Sequence, residues 1–482
     1  MREDAAPDVL ATAAAGPAAV RGGALRLAAY VASAVVVLVA SALLYRHLGP
    51  VETGRYTTAV SLVALVAGFS DLGLTAIGIR ELSIRTGADR VRMVRTLLGL
   101  RIVVTAIGVV AITAFAFLAY GTTLGVGALL ASIGLLFQVW QGTLALPLMA
   151  DLRFGWASAL EFLRQLLLSI FIVALVAAGA GVLPFLAATI PVGIAVLVLT
   201  LPVVHSRLAS RPRFAPDEWR ALVKPVITYA IAVAASTLYF RVAILLVSLI
   251  DGPRELGYFS ISFNAMAVLF SVPGVLITAA FPIFARAALE DHARLAYGIE
   301  RVFEVSLIVG AWISLAIALS APFVIEVIGG HRFAPAAPIL AIQGVAVGAT
   351  FVGTVWGFGL LSLGRHRAIL VFNLVALAAV IAIVAVLAVL DGARGAAIGT
   401  SAVEVVLAIV GARVLVAGRP QLAPSLRIVP KVLLALVPAA APALLPIPEL
   451  AQVALSAVLY LVSLVVLRAL PAELLALMPR RP

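Results

Sequence analysis

The chain contains no cysteine, and only 12% of its residues are charged, about half the share of a soluble domain. Disulfides and thiolate metal sites are therefore excluded. Histidine is scarce too, with five scattered copies, so no metal centre is expected, and nothing implies another cofactor. No glycine-rich phosphate loop of the Walker type is present, and no connecting loop is long enough to hold a nucleotide-binding fold. Chemistry driven by nucleotide hydrolysis is therefore not expected. The short alternating segments of a transmembrane β-barrel are missing. A secretory leader is missing as well, because the first apolar block is too long.

What is present is hydrophobic. Of 482 residues, 63% are apolar, and they fall in blocks of about 20 to 28, against the roughly 20 that a helix needs to cross a bilayer. The expected fold is an all-α polytopic membrane protein of about fourteen spans, the first near 24–45 and the last near 450–470. The net charge of +12 would suggest nucleic acid for a soluble chain. Here it follows topology. Arg46, Arg55, Arg254, Arg332 and Arg394 fall on one side and Arg241 within a span, while the other basic residues share the opposite side. The positive-inside rule makes that richer side cytoplasmic, with both termini there and an even span count. Some attraction to anionic lipid heads comes with it. No nucleic-acid partner is implied.

The chain repeats itself. Gly49-Pro50-Val51-Glu52-Thr53-Gly54 leads into a long apolar run, and so does Gly252-Pro253-Arg254-Glu255-Leu256-Gly257. A second pair, Arg153-Phe154-Gly155 and Arg365-His366-Arg367, opens spans five and eleven. Spans one to six and seven to twelve therefore read as parallel six-helix lobes related by an axis along the membrane normal. The expected organisation is a disordered cytoplasmic tail over 1–23, lobes at 24–205 and 221–416, a linker at 206–220, two added spans over 427–470 and a tail over 471–482. Two parallel lobes with a cavity between them suit alternating access.

Leu48-Gly49-Pro50, Glu52, Gly54, Tyr56, then Asp71-Leu72-Gly73-Leu74 and Arg80-Glu81-Leu82 closely resemble the first helices of bacterial polysaccharide-biosynthesis flippases. These belong to the multidrug/oligosaccharidyl-lipid/polysaccharide exporter superfamily. The second turn through Tyr258 resembles the second-lobe pattern, as do Leu363-Gly364-Arg365-His366-Arg367 through Asn373, and Gly395 through Glu404. The resemblance spans about residues 24–416. It implies a plasma-membrane flippase, not an enzyme, that moves undecaprenyl-linked oligosaccharide from the inner to the outer leaflet. Its partners would be that polyprenyl pyrophosphate sugar and membrane lipids, with a polysaccharide polymerase and glycosyltransferases as candidates. Many relatives carry an acid two positions after the residue matching Arg241; here that position is Ala243. A lipid II flippase or a drug/cation antiporter of the superfamily, or a membrane glycosyltransferase or polymerase, are the alternatives. An antiporter would want an acidic central cavity. A transferase would want a larger outer loop than 322–333, which offers only Glu326, His331 and Arg332.

Six residues are candidate binding residues. Arg241 lies nine residues from the outer end of its span, roughly 14 Å deep at 1.5 Å per residue. A charge at that depth costs at least about 2.5–3.5 kcal/mol, so it needs water or a partner. It suits a pyrophosphate, which a guanidinium grips bidentately; the structural alternative is an ion pair with Glu404. Glu404 either pairs so or takes up a proton during transport. Asp71 either lines the cavity floor or fixes a neighbouring helix. Arg80, in the densest basic cluster, either captures phosphate or sets topology. Asn264 and Asn373 either meet sugar hydroxyls or join helices. Glu161 and Arg164, three apart, read as a structural pair.

Overall fold

The computed structural model describes residues 15–204, 211–224, 227–290 and 292–470. Among them every regular element is helical: α1 Ala15–Asp71, α2 Leu74–Ile84, α3 Gly87–Tyr120, α4 Thr122–Ala150, α5 Phe154–Ala177, α6 Val182–Ala187, α7 Thr189–Val203, α8 Pro216–Val223, α9 Ile227–Ile250, α10 Gly252–Glu290, α11 His292–Gly329, α12 Ala336–Ser362, α13 His366–Val416, α14 Ile428–Ala440 and α15 Glu449–Val466. Within the expected N-terminal tail, residues 1–14 lie outside the described residues, but the chain is already helical from Ala15. The alanine-rich sequence there explains this, since alanine is the best helix former. The tail 471–482 and linker residues 205–210 also lie outside them.

Ten helices among the described residues are long and apolar enough to cross a membrane, and the shorter stretches Arg241–Ile250 and Ile428–Leu444 are apolar as well. Two of the ten are 53 and 51 residues long. At 1.5 Å per residue each would reach roughly 80 Å, against about 30 Å of hydrocarbon, so each must hold two passes. Both contain the break this needs. Gly49 sits at φ 71° inside α1, and Gly392 at φ 52° inside α13. Glycine reaches this left-handed region without the Cβ penalty. With the two shorter stretches, fourteen apolar passes result among the described residues. Residues such as Val110, Leu118, Val389 and Val466 point outward, 69 to 89% exposed, which water would penalise and acyl chains accept.

Two spans differ from the sequence reading. Span two, expected as one helix, is broken after Asp71, where Leu72 and Gly73 take φ 38° and 77°. Gly73 eases that reversal, and α2 restarts at Leu74. Span six is likewise divided, into α6 and α7.

The chain forms two compact units. The first holds the residues up to Leu48 and Arg55–Leu238. The second holds Gly49–Gly54 and everything from Tyr239. In the first, Leu82, Val94, Leu97 and Leu144 form a core that is nearly inaccessible. The linker is strapped to this unit. Arg213 N–H donates to the Arg95 carbonyl at 2.9 Å, and Trp219 Nε1 to the Thr96 carbonyl at 3.1 Å. Gly99 admits the linker, since a Cβ there would lie 2.1 Å from the Arg213 carbonyl oxygen. In the second unit, α14 and α15 belong to the main core: Val432, Ala435 and Leu464 pack with Leu295, Ile299 and Trp356, and Tyr460 donates to the Ile308 carbonyl at 3.0 Å.

The second unit also contains both repeated turns, locked reciprocally. A Cβ on Gly54 would sit 1.8 Å from the Pro253 carbonyl oxygen, and one on Gly257 2.0 Å from that of Pro50. Each glycine is the seat for the other turn's proline carbonyl.

Candidate functional site

A helix turns 100° per residue, so positions two apart point in nearly opposite directions. On α9 this rule separates two chemistries. Tyr239 turns toward α13, where its hydroxyl donates to Glu404 Oε1 at 2.5 Å. Thr350 of α12 donates to Glu404 Oε2 at 3.3 Å. Both oxygens of Glu404 are thus occupied, and α9, α12 and α13 are tied together. Ala243, four residues from Tyr239, shares its face and lines the same small cavity of about 30 Å³, with Gln343 and Thr400. Gln343 is 2% exposed, and neither its amide nitrogen nor its oxygen has a partner among the described residues. An acid at position 243 would therefore face Glu404's cavity.

Arg241 points the other way. It is half-buried, and among the described residues it makes no hydrogen bond or ion pair. The Arg241–Glu404 pair, one of the two readings of each residue, does not form. The cause is the helical phase of Tyr239 and Arg241. Thr237 and Ser248, at minus four and plus seven, lie near the Arg241 face. Among the described residues of α9 that face carries a guanidinium and hydroxyls but no carboxylate, and the Ser248 hydroxyl donates to the Leu245 carbonyl at 2.7 Å.

Asp71 has a different fate. At the α1–α2 break it accepts a short hydrogen bond from Arg101 of α3 and another from Thr75. Arg101 also donates to Thr75 Oγ1 at 2.7 Å and to Thr143 Oγ1 of α4 at 3.3 Å. Of the two readings of Asp71, the geometry matches the acid that fixes a neighbouring helix. The sequence reading does not single out Arg101, because it counts it with the basic residues of the cytoplasmic side. The available signal is its setting in LLGLRIVV, well inside an apolar run and as anomalous as Arg241.

Arg80 is exposed on α2 and lines a groove of about 620 Å³ with Glu81, Arg85, Asp89, Arg92 and Glu218. Its neighbours are engaged: Arg85 with Glu81 at 2.7 Å, and Arg92 with Glu218. The Arg92 hydrogen bond, helped by Thr96, holds the Glu218 carboxyl below the usual carboxylate range. Arg80 makes no ion pair among the described residues. Asn264 and Asn373 are half-buried on α10 and α13, and neither lines the Glu404 cavity. Glu161 and Arg164 pair as expected, in bidentate form. The structure thus brings Glu404 together with Tyr239, Thr350 and Gln343, and Asp71 with Arg101. Within its own unit, Arg241 joins no cluster with Glu404, and Arg80 none with Asp71 and Arg101.

A family model described as polysaccharide biosynthesis protein matches residues 43–338. No curated protein sequence matches the chain. Among solved structures, the lipid II flippase MurJ in an inward closed conformation superimposes with a TM-score of 0.74 at 12% identity, over 92% of this chain and 99% of that one. An inward-facing multidrug resistance MATE family transporter of the MOP superfamily gives 0.61 at 16%, over 81% and 94%. A point mutant of the Vibrio cholerae MATE transporter VcmN gives 0.53 at 14%, over 84% and 98%. At these identities the likeness is one of fold.

Proposed function

The chain belongs to the polysaccharide biosynthesis protein family, a multi-pass membrane protein with the fold of flippases and MATE transporters, and from that premise we propose that it moves a lipid-linked oligosaccharide across the bilayer by alternating access. The cargo is an undecaprenyl pyrophosphate sugar, taken from the inner leaflet and released in the outer one. Membrane lipids are its surroundings. The polymerase and glycosyltransferases of polysaccharide assembly are its partners.

One observation carries this reading: Arg241 sits inside a membrane span with no counter-charge among the described residues. An intramembrane charge left unneutralised is costly, and the cost is offset when an anion arrives. A pyrophosphate is such an anion, and the planar guanidinium matches it bidentately. A drug cation would be repelled from the same face. The hydroxyls of Thr237 and Ser248 stand nearby on the helix to accompany sugar or phosphate oxygens. Arg80, exposed in its groove, is placed for first contact with the phosphate at the cytoplasmic surface, and Glu404 for proton uptake through the cycle. Asn264 and Asn373 are assigned to contacts with sugar hydroxyls. The apolar exterior accommodates the polyprenyl tail, which need never leave the bilayer.

The test is reconstitution of the purified protein with fluorescent undecaprenyl pyrophosphate oligosaccharide and measurement of its appearance in the opposite leaflet. Arg241→Ala is expected to reduce translocation by at least about tenfold, as loss of a charged hydrogen-bonding group worth about 1.5–3 kcal/mol requires. Arg241→Lys is expected to recover part of it. Wild-type rates in Arg241→Ala would end the proposal.

A further inference from the structure

Within the first unit, α1, α4 and α5 line a half-open cavity of about 430 Å³. Binding pockets for small ligands fall in a range of roughly 300–1,000 Å³, mostly apolar, with a few placed polar groups. This cavity has that character. Val37, Met149 and Phe154 give it apolar walls, and Gln141, Ser158 and Gln165 put polar groups into it.

Gln141 is the most informative of these. It is 8% exposed, and its amide nitrogen donates to Thr200 Oγ1 at 3.3 Å. Its carbonyl oxygen has no partner among the described residues, and Gln141 lines the cavity. That oxygen is open to the cavity, where a ligand donor can bond it in place of water for about 0.5–1.5 kcal/mol. The Ser158 hydroxyl and the Gln165 carbonyl likewise have no partner among the described residues. The cavity's one carboxylate, Glu161, is neutralised by Arg164, which donates to both of its oxygens, and Gln165 donates to it at 3.1 Å. What remains is a set of uncharged acceptors and the hydroxyls of Ser33 and Ser158. Such a set has no strong attraction for phosphate, which wants cations, or for a metal ion, which wants free carboxylates. It suits a neutral ligand rich in hydroxyl donors, with apolar faces for the aliphatic and aromatic walls.

We propose that this cavity is a sugar-binding site, taking the pyranose units of a neutral oligosaccharide. It assigns to the first unit the sugar of the cargo and leaves the phosphate to Arg241. That assignment rests on the flippase reading, whereas sugar binding itself does not.

Because the chain has no cysteine, Ser158→Cys creates a single thiol in the cavity of the full-length protein. Its rate of labelling by N-ethylmaleimide in proteoliposomes is measured with four probes: free chitotriose, free maltotriose, undecaprenyl pyrophosphate N-acetylglucosamine, and undecaprenyl pyrophosphate without sugar. Labelling is expected to slow with the sugar-bearing probes and to stay unchanged with the sugarless lipid. Adding Gln141→Leu should raise the concentration needed for protection about three- to tenfold, the effect of one lost hydrogen bond. If that variant fails to fold, Gln165→Leu serves the same purpose at the cavity rim. Equal protection by the sugarless lipid would overturn the proposal, as would no protection by any probe. Protection by a free sugar without any translocation of the lipid-linked one would retain the site and refute the flippase reading alone.

Discussion

Each unit buries an arginine inside apolar helices, and the two are treated in opposite ways. In the first unit Arg101 is 7% exposed and bonded to Asp71, Thr75 and Thr143. In the second, Arg241 has a carboxylate on its unit's neighbouring helices but faces away from it, while Tyr239 takes that carboxylate instead. A charge paired with a carboxylate and bonded to two hydroxyls on neighbouring helices serves the fold. A charge held half-buried without a partner contributes nothing to the fold that an alanine would not improve, which is why function is sought at the second and not at the first.

The largest effect that would break this contrast is on stability. Arg101→Ala leaves Asp71 without its cation. It should destabilise the protein by about 3 kcal/mol, the low end for a broken buried pair because Asp71 remains 37% exposed. Thermal unfolding in detergent measures it, and Asp71→Asn combined with Arg101→Leu should recover much of the loss. Arg241→Ala should leave the melting temperature unchanged or raise it. If both alanine variants melt alike, the two arginines are not the different things described here.

A smaller effect sharpens the comparison of the repeated turns. Gly54→Ala and Gly257→Ala each drive a methyl group into a proline carbonyl, and each should cost about 1–3 kcal/mol, as overpacking does. Because the contacts are reciprocal, the two variants should melt within experimental error of each other. The smallest effect belongs to the linker strap. Glu218 is held below the ordinary carboxylate range in the folded protein by Arg92. Its contribution is therefore present above the ordinary value near 4.5 and is lost as pH falls through the lower folded one. Protease cleavage of the linker should quicken over that acid range, and Glu218→Gln should remove the pH dependence.

Most of the architecture was legible because apolar block length and arginine placement are one-dimensional signals. The breaks at Gly49 and Gly392 follow from glycines at polar turns. The break at Leu72–Gly73 does not, because leucine rarely adopts positive φ and nothing local announces it. The turn before α5 shows how a repeat survives when sequence does not. Arg153 N–H bonds the Leu148 carbonyl and Leu152 N–H that of Met149, and Arg365 and Gly364 do the same to Leu360 and Leu361. Yet the left-handed residue is leucine in one copy and glycine in the other. For the sites, Arg241 announces itself as a charge in an apolar run. Tyr239 and Thr350 do not, since a tyrosine or threonine in a span is unremarkable until its partner is known. Arg101 is hidden by its contribution to the topological charge count.

The reciprocal seat of the two turns has one more consequence. A substitution at Gly54 presses on the loop that carries Gly257, and a substitution at Gly257 presses on the loop that carries Gly54. Neither copy of the duplicated turn is then free to diverge by itself. Across homologous chains these two glycines should be kept or lost as a couple, long after the helices that flank them have drifted beyond recognition.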